Sequence, residues 1–173
     1  MKKIFVYIML LITIVTFCSC GNSNYISPVE LGQNQNKIIM EALRKKDKEE
    51  LKNVLAKALQ NQENIDEEID NLMNYIEGNI VSYDIGAVSS PRGKSDEDGW
   101  IYRVYDGETQ NIVTDTGKKY ELKFYMYYVN RNHKDYEGVT QIELHDTEIY
   151  TQENDYPVNG RCGIYLKEED DEE

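Results

Sequence analysis

The sequence has little histidine, cysteine or positive charge. It holds two histidines and three cysteines in 173 residues, and 19 lysines and arginines against 32 aspartates and glutamates. The resulting net charge of −13 argues against nucleic-acid binding, which needs a basic face, and against a polybasic membrane surface. His133 and His145 stand at a spacing that matches no metal-binding pattern.

Sequence motifs for catalysis are also lacking. The chain contains no P-loop, no dinucleotide-binding fingerprint and no G-x-S-x-G. An EF-hand loop placed on Gly99 fails, because Lys94 and Tyr105 would fill its first and last positions, where oxygen donors are needed. The acidic turn 96–98 is then at most a weak cation-binding site. We expect no enzymatic activity, no catalytic residue, no metal and no cofactor.

Two side chains, those of His145 and Cys162, could have either a catalytic or a purely structural role. His145 followed by Asp146 is a candidate acid–base pair if a pocket surrounds them, but an ordinary strand histidine at a surface or sheet edge is the preferred interpretation. Cys162 in "GRCGIYL" would need a neighbouring base to act as a nucleophile. We expect it to be a buried or half-buried residue near the last strand.

The one long hydrophobic run lies at the beginning of the chain. Met1-Lys2-Lys3 is followed by uncharged residues 4–17, "IFVYIMLLITIVTF", which is typical of a signal peptide. The run is shorter than the roughly 20 residues that a permanent membrane span requires. We therefore predict that the protein is exported.

The residues after this run resemble the lipobox of bacterial lipoproteins. Ser19 precedes Cys20, which in such proteins is acylated and becomes the first mature residue, while Phe17 and Cys18 depart from the usual pattern. The resemblance implies that Cys20 anchors the protein by lipid to the outer face of the cell membrane. A plain cleaved signal is the alternative, and a redox or metal C-x-C pair is disfavoured inside a leader.

Composition divides the remainder of the chain. We predict a signal peptide at 1–19, a polar tether at 20–35, one domain at 36–167 and a solvated acidic tail at 168–173. Within the domain, apolar residues recur at helical spacing near 37–46, 48–60 and 65–77, and Asp47 with Glu50 forms a capping box before the second helix.

From residue 79 onward the hydrophobic period changes to two, which indicates strands. In "KYELKFYMYYV" one face would carry Tyr120, Leu122, Phe124, Met126 and Tyr128. Helices followed by antiparallel strands predict an α+β fold, with the N-terminal helices packed on a curved sheet.

Tyrosine is the one residue type present in excess, with 14 copies. Tyr125 and Tyr127 fall on the face of their strand opposite Phe124 and Met126. Because helices would cover only one face of the sheet, we identify Tyr125 and Tyr127 as candidate partner-binding residues. The simpler alternative is that tyrosine suits half-exposed strand positions in any case.

The order of segments resembles a family of lipoproteins from Gram-positive bacteria, defined as a domain of unknown function. The resemblance rests on "IIMEALRKKDKEELKNVL", "IEGNIVSYD", "TDTGKKYELKFYMYYVNRNHKDYEGVTQIEL" and "GIYL". That family is grouped with the nuclear-transport-factor-2-like, cystatin-like superfamily. The resemblance implies a cone-shaped α+β fold and a cell-surface location, and it supplies no catalytic residue.

These sequence features leave two functional hypotheses open. The first is a lipid-anchored, non-enzymatic binding domain with a protein or small-molecule partner. The second is a small-molecule pocket protein or enzyme, whose site would lie inside the cone between helices and sheet. A self-protection role at the cell surface is left open. An interior filled by Phe124, Met126 and the helices would disfavour the second hypothesis.

Overall fold

Helices come first along the chain and strands follow. The computed structural model describes residues 27–149 and 160–167. Within them the helices are α1 (Pro28–Lys45), α2 (Lys48–Val54), α3 (Lys57–Gln60) and α4 (Ile65–Tyr75). The strands are β1 (Ile80–Val88), β2 (Arg92–Asp96), β3 (Gly99–Thr114), β4 (Lys119–Asn130), β5 (Gly138–Asp146) and β6 (Arg161–Tyr165), and a 3₁₀ helix spans Lys134–Tyr136. The predicted α+β class is confirmed.

Helix α1 begins nine residues before the predicted start at residue 37. Ser27 caps it, since its Oγ accepts a hydrogen bond from the Glu30 amide at 3.1 Å. Residues 28–35, which composition assigned to the tether, are therefore helical. The apolar pattern does not predict this part of α1, because its inward positions are Gly32 and Asn36 rather than large apolar residues. At Gly32 an added Cβ would lie 2.6 Å from a methyl carbon of Val88 on β1.

Asn36 joins the helix layer to the sheet. The side chain is fully buried. Its Nδ2 donates to the Glu108 carbonyl at 2.6 Å, and its Oδ1 accepts from the Thr109 hydroxyl at 2.6 Å. A buried amide with both ends bonded fixes the position of α1 over β3.

The predicted second helix is two helices. The cap at Asp47 is confirmed, because its Oδ1 accepts from the Glu50 amide at 2.9 Å. The chain becomes extended at Leu55, and the Ala56 amide donates to the Val139 carbonyl of β5 at 2.8 Å. The apolar stripe continues through this break, so the sequence pattern alone did not reveal it. A hydrogen bond to the sheet replaces one within the helix.

The six strands described form one antiparallel sheet. Its order is β1-β3-β4-β5-β6, and β2 pairs with the first part of β3. Shifts of register interrupt the pairing of β3 with both its long neighbours, which is how a sheet bends. Strand β2 lies in a polar stretch of the sequence and forms an exposed hairpin with β3, with Gly99 at positive φ in the turn.

Strand β4 separates the core from the outer face of the sheet. Tyr120, Leu122, Phe124 and Met126 are buried as predicted. Tyr128 was expected on the same buried face, but 44% of it is exposed. Val104 pairs with Tyr127 and Arg103 with Val129, so Tyr128 is an extra residue in a bulge and leaves the core.

One apolar cluster fills the space between the helices and this face of the sheet. Phe124 is 2% exposed and Met126 is 5% exposed. They pack in the same cluster as helix residues that include Ile39, Met40, Leu51, Leu59, Ile69 and Leu72. The inner face of the sheet therefore serves packing.

Candidate functional site

Tyr125 and Tyr127 lie on the outer face of β4, as predicted. Both are half-buried, and their rings meet edge to face with centroids 5.8 Å apart and an interplanar angle of 85°. Burial raises the pKa of Tyr125 above its ordinary value. The phenol is therefore neutral at physiological pH.

Three more tyrosines join this pair. Tyr102 of β3 contacts the Tyr127 ring at 6.3 Å, and Tyr136 of the 3₁₀ helix contacts it at 6.4 Å. Tyr165 of β6 lines the same cavity as Tyr125. We call the five residues Tyr102, Tyr125, Tyr127, Tyr136 and Tyr165 the tyrosine cluster. Only Tyr125 and Tyr127 follow from the sequence pattern, because the other three come from separate segments that the fold brings together.

Side-chain bonds fix the loop that carries Tyr136. The Asn130 amide donates to Glu137 Oε1 at 2.9 Å, and the His133 amide donates to Asn130 Oδ1 at 3.0 Å. Burial acts to raise the pKa of Glu137, but its hydrogen bonds from Lys134 and from that amide outweigh burial and hold the pKa below its usual value. The His133 ring stacks on Tyr136 with centroids 4.9 Å apart. His133 thus supports an aromatic wall.

The cluster lines two neighbouring cavities. The smaller, which we call the tyrosine pocket, has a volume of about 150 Å³ and is lined by Tyr125, Tyr127, Tyr136, Thr140, Gln141, Tyr165 and Leu166. The larger, which we call the loop groove, has a volume of about 680 Å³. Its walls include Tyr102, Tyr127, Asn130, His133, Asp135, Tyr136 and Lys167. Tyr127 and Tyr136 belong to both.

A carboxylate with several donors lies beside the tyrosine pocket. Glu143 of β5 accepts hydrogen bonds from the Tyr165 hydroxyl at 2.8 Å and from Arg161 at 3.2 Å, and its other oxygen lies 3.2 Å from His145 Nε2. The bond to His145 acts most strongly to lower the pKa of Glu143, burial opposes it, and Tyr165 and Arg161 assist it, so the pKa falls to about 2. Glu143 is therefore ionised.

Tyr165 is held by the same carboxylate. Burial, followed by the hydrogen bond to Glu143, raises the pKa of Tyr165 well above its ordinary value. The Arg161 guanidinium lies 5.9 Å from the centre of the Tyr165 ring, within reach of a cation–π attraction. The Tyr165 ring therefore already interacts with a positively charged group of its own chain.

The suggested pair of His145 and Asp146 does not form. Alternate residues of a strand point to opposite faces, and the contact of His145 is with Glu143 on its own face. Asp146 instead accepts from the Glu148 amide at 2.9 Å and lies 3.5 Å from Lys118 Nζ. Both residues are buried. His145 is thus not paired with Asp146, but it is buried in an interior strand of the sheet rather than at the surface or sheet edge where we expected it.

The remaining sequence candidates have structural partners. Cys162 is a half-buried free thiol on β6 that packs against the core, and burial raises its pKa, which disfavours the nucleophilic thiolate. In the turn 96–98, Asp96 accepts from Arg131 at 2.5 Å. Among the residues that the structure describes, His, Cys, Asp and Glu side chains nowhere gather in the threes that a metal site needs.

The predicted lipid attachment point, Cys20, lies outside the described residues. The same holds for the leader and for the acidic tail. No helix within residues 27–149 and 160–167 has the length and hydrophobicity that crossing a bilayer requires.

Comparison with known proteins identifies a family. No curated protein matches the chain. The model of a domain of unknown function, DUF5104, matches residues 37–148, which run from the middle of α1 past the end of β5. Because this match covers more than half of the sequence, the chain belongs to the DUF5104 family.

Proposed function

We propose that this protein is an exported lipoprotein, anchored by an acylated Cys20 at the outer face of the cell membrane, whose domain binds a ligand and does not catalyse a reaction. The leader and the residues around Cys20 support the anchor. We also propose that the fold belongs to the nuclear-transport-factor-2-like, cystatin-like superfamily, and the order of its helices and its curved sheet support this.

The convergence of five tyrosines on two adjoining cavities carries the binding proposal. They come from β3, β4, β6 and the 3₁₀ helix, and they share the walls of the tyrosine pocket and the loop groove. Tyrosine gives a binding surface a large apolar area with a polar tip and few rotatable bonds. Ligand sites are typically concave and aromatic, with a few polar groups among the rings. Tyr125 lines the tyrosine pocket, and Tyr127 lines both cavities.

The alternative is a pocket or active site in the interior of the cone. It receives less support, because Phe124, Met126 and the inward side chains of the helices pack together there in one apolar cluster. Tyr102 and Tyr136 line the loop groove and do not belong to that cluster. We therefore favour the binding domain.

Ligand-detected NMR of small molecules extracted from the producing cell envelope tests the binding surface. We expect the full chain, solubilised in a polyoxyethylene detergent, to broaden the signals of bound molecules. Tyr127→Leu should abolish this broadening, and Tyr128→Leu, on the exposed bulge of the same strand, should retain it. Equal broadening by both variants, or none by the wild type, would contradict the proposal.

Mass spectrometry of the membrane fraction tests the anchor. We expect the mature chain to begin with an acylated Cys20, and Cys20→Ala to leave the membrane fraction. A Cys20→Ala chain that stayed fully membrane-bound after loss of its leader would show that the anchor proposal is wrong.

A further inference from the structure

We infer that the tyrosine pocket binds one compact organic cation, such as a trimethylammonium group. This inference rests on the proposed binding function and adds the chemical class of the ligand. Aromatic cages built from tyrosine or tryptophan are the usual protein receptors for quaternary ammonium groups, because the negative faces of several rings surround a charge that has no hydrogen-bond donors.

The strand register places two walls of the cage at the spacing that a cation needs. Tyr125 pairs with Gln141, and Gln141 pairs with Tyr165, so the two tyrosines stand two strands apart on the same face. Strand spacing puts their backbones about 9–10 Å apart, so a small cation above Gln141 has an aromatic side chain on either side, and a ring attracts a cation from within roughly 6 Å of its centroid. Gln141 lies between them as the floor.

Tyr127 and Tyr136 complete the enclosure. Tyr127 stands at 85° to Tyr125, and Tyr136 is inclined at 60° to Tyr127. The rings therefore line the pocket at steep angles to one another. The pocket volume of about 150 Å³ is below the range of about 300–1,000 Å³ typical for drug-sized ligands. It suits a single small group.

The surrounding charge favours a cation over an anion. Glu143 is ionised and accepts from the Tyr165 hydroxyl, so a negative charge lies beside that ring, on which the Arg161 guanidinium also lies at 5.9 Å. The two arginines near the pocket have carboxylate partners: Arg161 pairs with Glu143, and Arg92 pairs with Asp106. Asp135 and Lys167 line the adjoining groove, where Lys167 pairs with Glu68, and the whole chain carries a charge of −13.

Isothermal titration with a charged ligand and its neutral copy tests this inference. Choline and 3,3-dimethyl-1-butanol have nearly the same shape, but only choline is charged. We expect the full chain, in a polyoxyethylene detergent, to bind choline about ten-fold or more tightly than the neutral alcohol. Equal affinities, or binding of neutral monosaccharides with no binding of choline, would overturn the inference.

Variants separate the rings from the rest of the surface. Tyr165→Leu and Tyr125→Leu should each weaken choline binding about ten-fold, while Tyr165→Phe keeps the ring and should weaken it by about three-fold or less. Tyr128→Leu serves as the matched control and should bind as the wild type does. If Tyr125→Leu does not fold, as judged by circular dichroism, the choline-to-alcohol ratio of the wild type still decides. Ring-removing variants that bind choline normally would overturn the inference.

Two sources of the cation are distinguished by a third ligand, glycerophosphocholine, which carries the headgroup of a lipid. We expect free choline to bind more tightly, because a phosphodiester places negative charge near Glu143. Tighter binding of glycerophosphocholine would support the cage and assign its occupant to a lipid headgroup. If envelope molecules bind in a Tyr127-dependent way but choline does not bind, the ligand class is wrong and the proposed binding surface stands.

Discussion

The two faces of β4 both carry aromatic residues, but these residues have different surroundings on each face. On the inner face, Tyr120, Phe124 and Met126 are buried in the apolar cluster with the helices. On the outer face, Tyr125 and Tyr127 remain half-buried and line cavities. An aromatic side chain in this sheet thus packs in the core or lines a cavity according to which side of the pleat it occupies. Substitutions on the two faces should separate stability from binding.

Phe124→Ala should cause the largest loss of stability. Removing this buried ring leaves a cavity between the sheet and the helices, and we expect the free energy of unfolding to fall by about 3–5 kcal/mol. Urea denaturation followed by circular dichroism measures the change. Tyr128→Ala, on the exposed bulge, is the control. A loss below about 1 kcal/mol for Phe124→Ala would mean that the inner face is not a packed core.

Glu143 should make the outer face sensitive to acid. Its pKa is lowered from 4.5 to about 2 in the folded state, so its contribution is complete above pH 4.5 and is lost as the pH falls toward 2. We expect this contribution to be roughly 2–3 kcal/mol. Urea midpoints measured across that range should fall for the wild type and stay flatter for Glu143→Gln.

The matched control for that experiment is Glu49→Gln, at an exposed position of α2. It should retain the acid dependence of the wild type. An identical acid dependence for Glu143→Gln and the wild type would contradict the assigned role of Glu143.

Asn36→Ala should test the hydrogen bonds that join α1 to β3. The change leaves the Thr109 hydroxyl and the Glu108 carbonyl without their bonds to Asn36, and we expect a loss of about 1–3 kcal/mol. Thermal unfolding of Asn36→Ala beside Asn34→Ala, an exposed neighbour on the same helix, measures the difference. Equal melting temperatures would show that the bonds contribute nothing.

Tyr102→Ala should have the smallest effect on stability. The side chain is 37% exposed and its ring contact is with Tyr127, so we expect a loss of about 1 kcal/mol or less. The same variant should weaken the binding of envelope molecules in the loop groove, as seen by ligand-detected NMR. Large destabilisation with unchanged binding would reverse the contrast between the two faces.

The sequence predicted the inner layer well because apolar periodicity reports burial. The stripe of β4 and the cap at Asp47 followed from spacing alone. The first turns of α1 were missed because Gly32 and Asn36 occupy buried positions without being hydrophobic. The break at Leu55 was missed because a bond to Val139 in a distant strand causes it.

The outer face was predicted only in part, and for a related reason. Tyr125 and Tyr127 share a strand, so their alternation showed that they share a face. Tyr165 is two strands away, and only the pairing of Gln141 with both neighbours brings it opposite Tyr125. Registers, bulges and loop contacts between distant segments are not written in a local pattern.

The early start of α1 limits how far the domain can stand from a membrane. With Ser27 as the cap, only the seven residues 21–27 (28 − 20 − 1) separate the proposed anchor Cys20 from the helix. Such a segment spans at most about 23–25 Å when fully extended. A lipid-anchored domain with so short a linker would diffuse in two dimensions, close to the lipid headgroups. It would sample molecules at the bilayer surface at a high effective concentration.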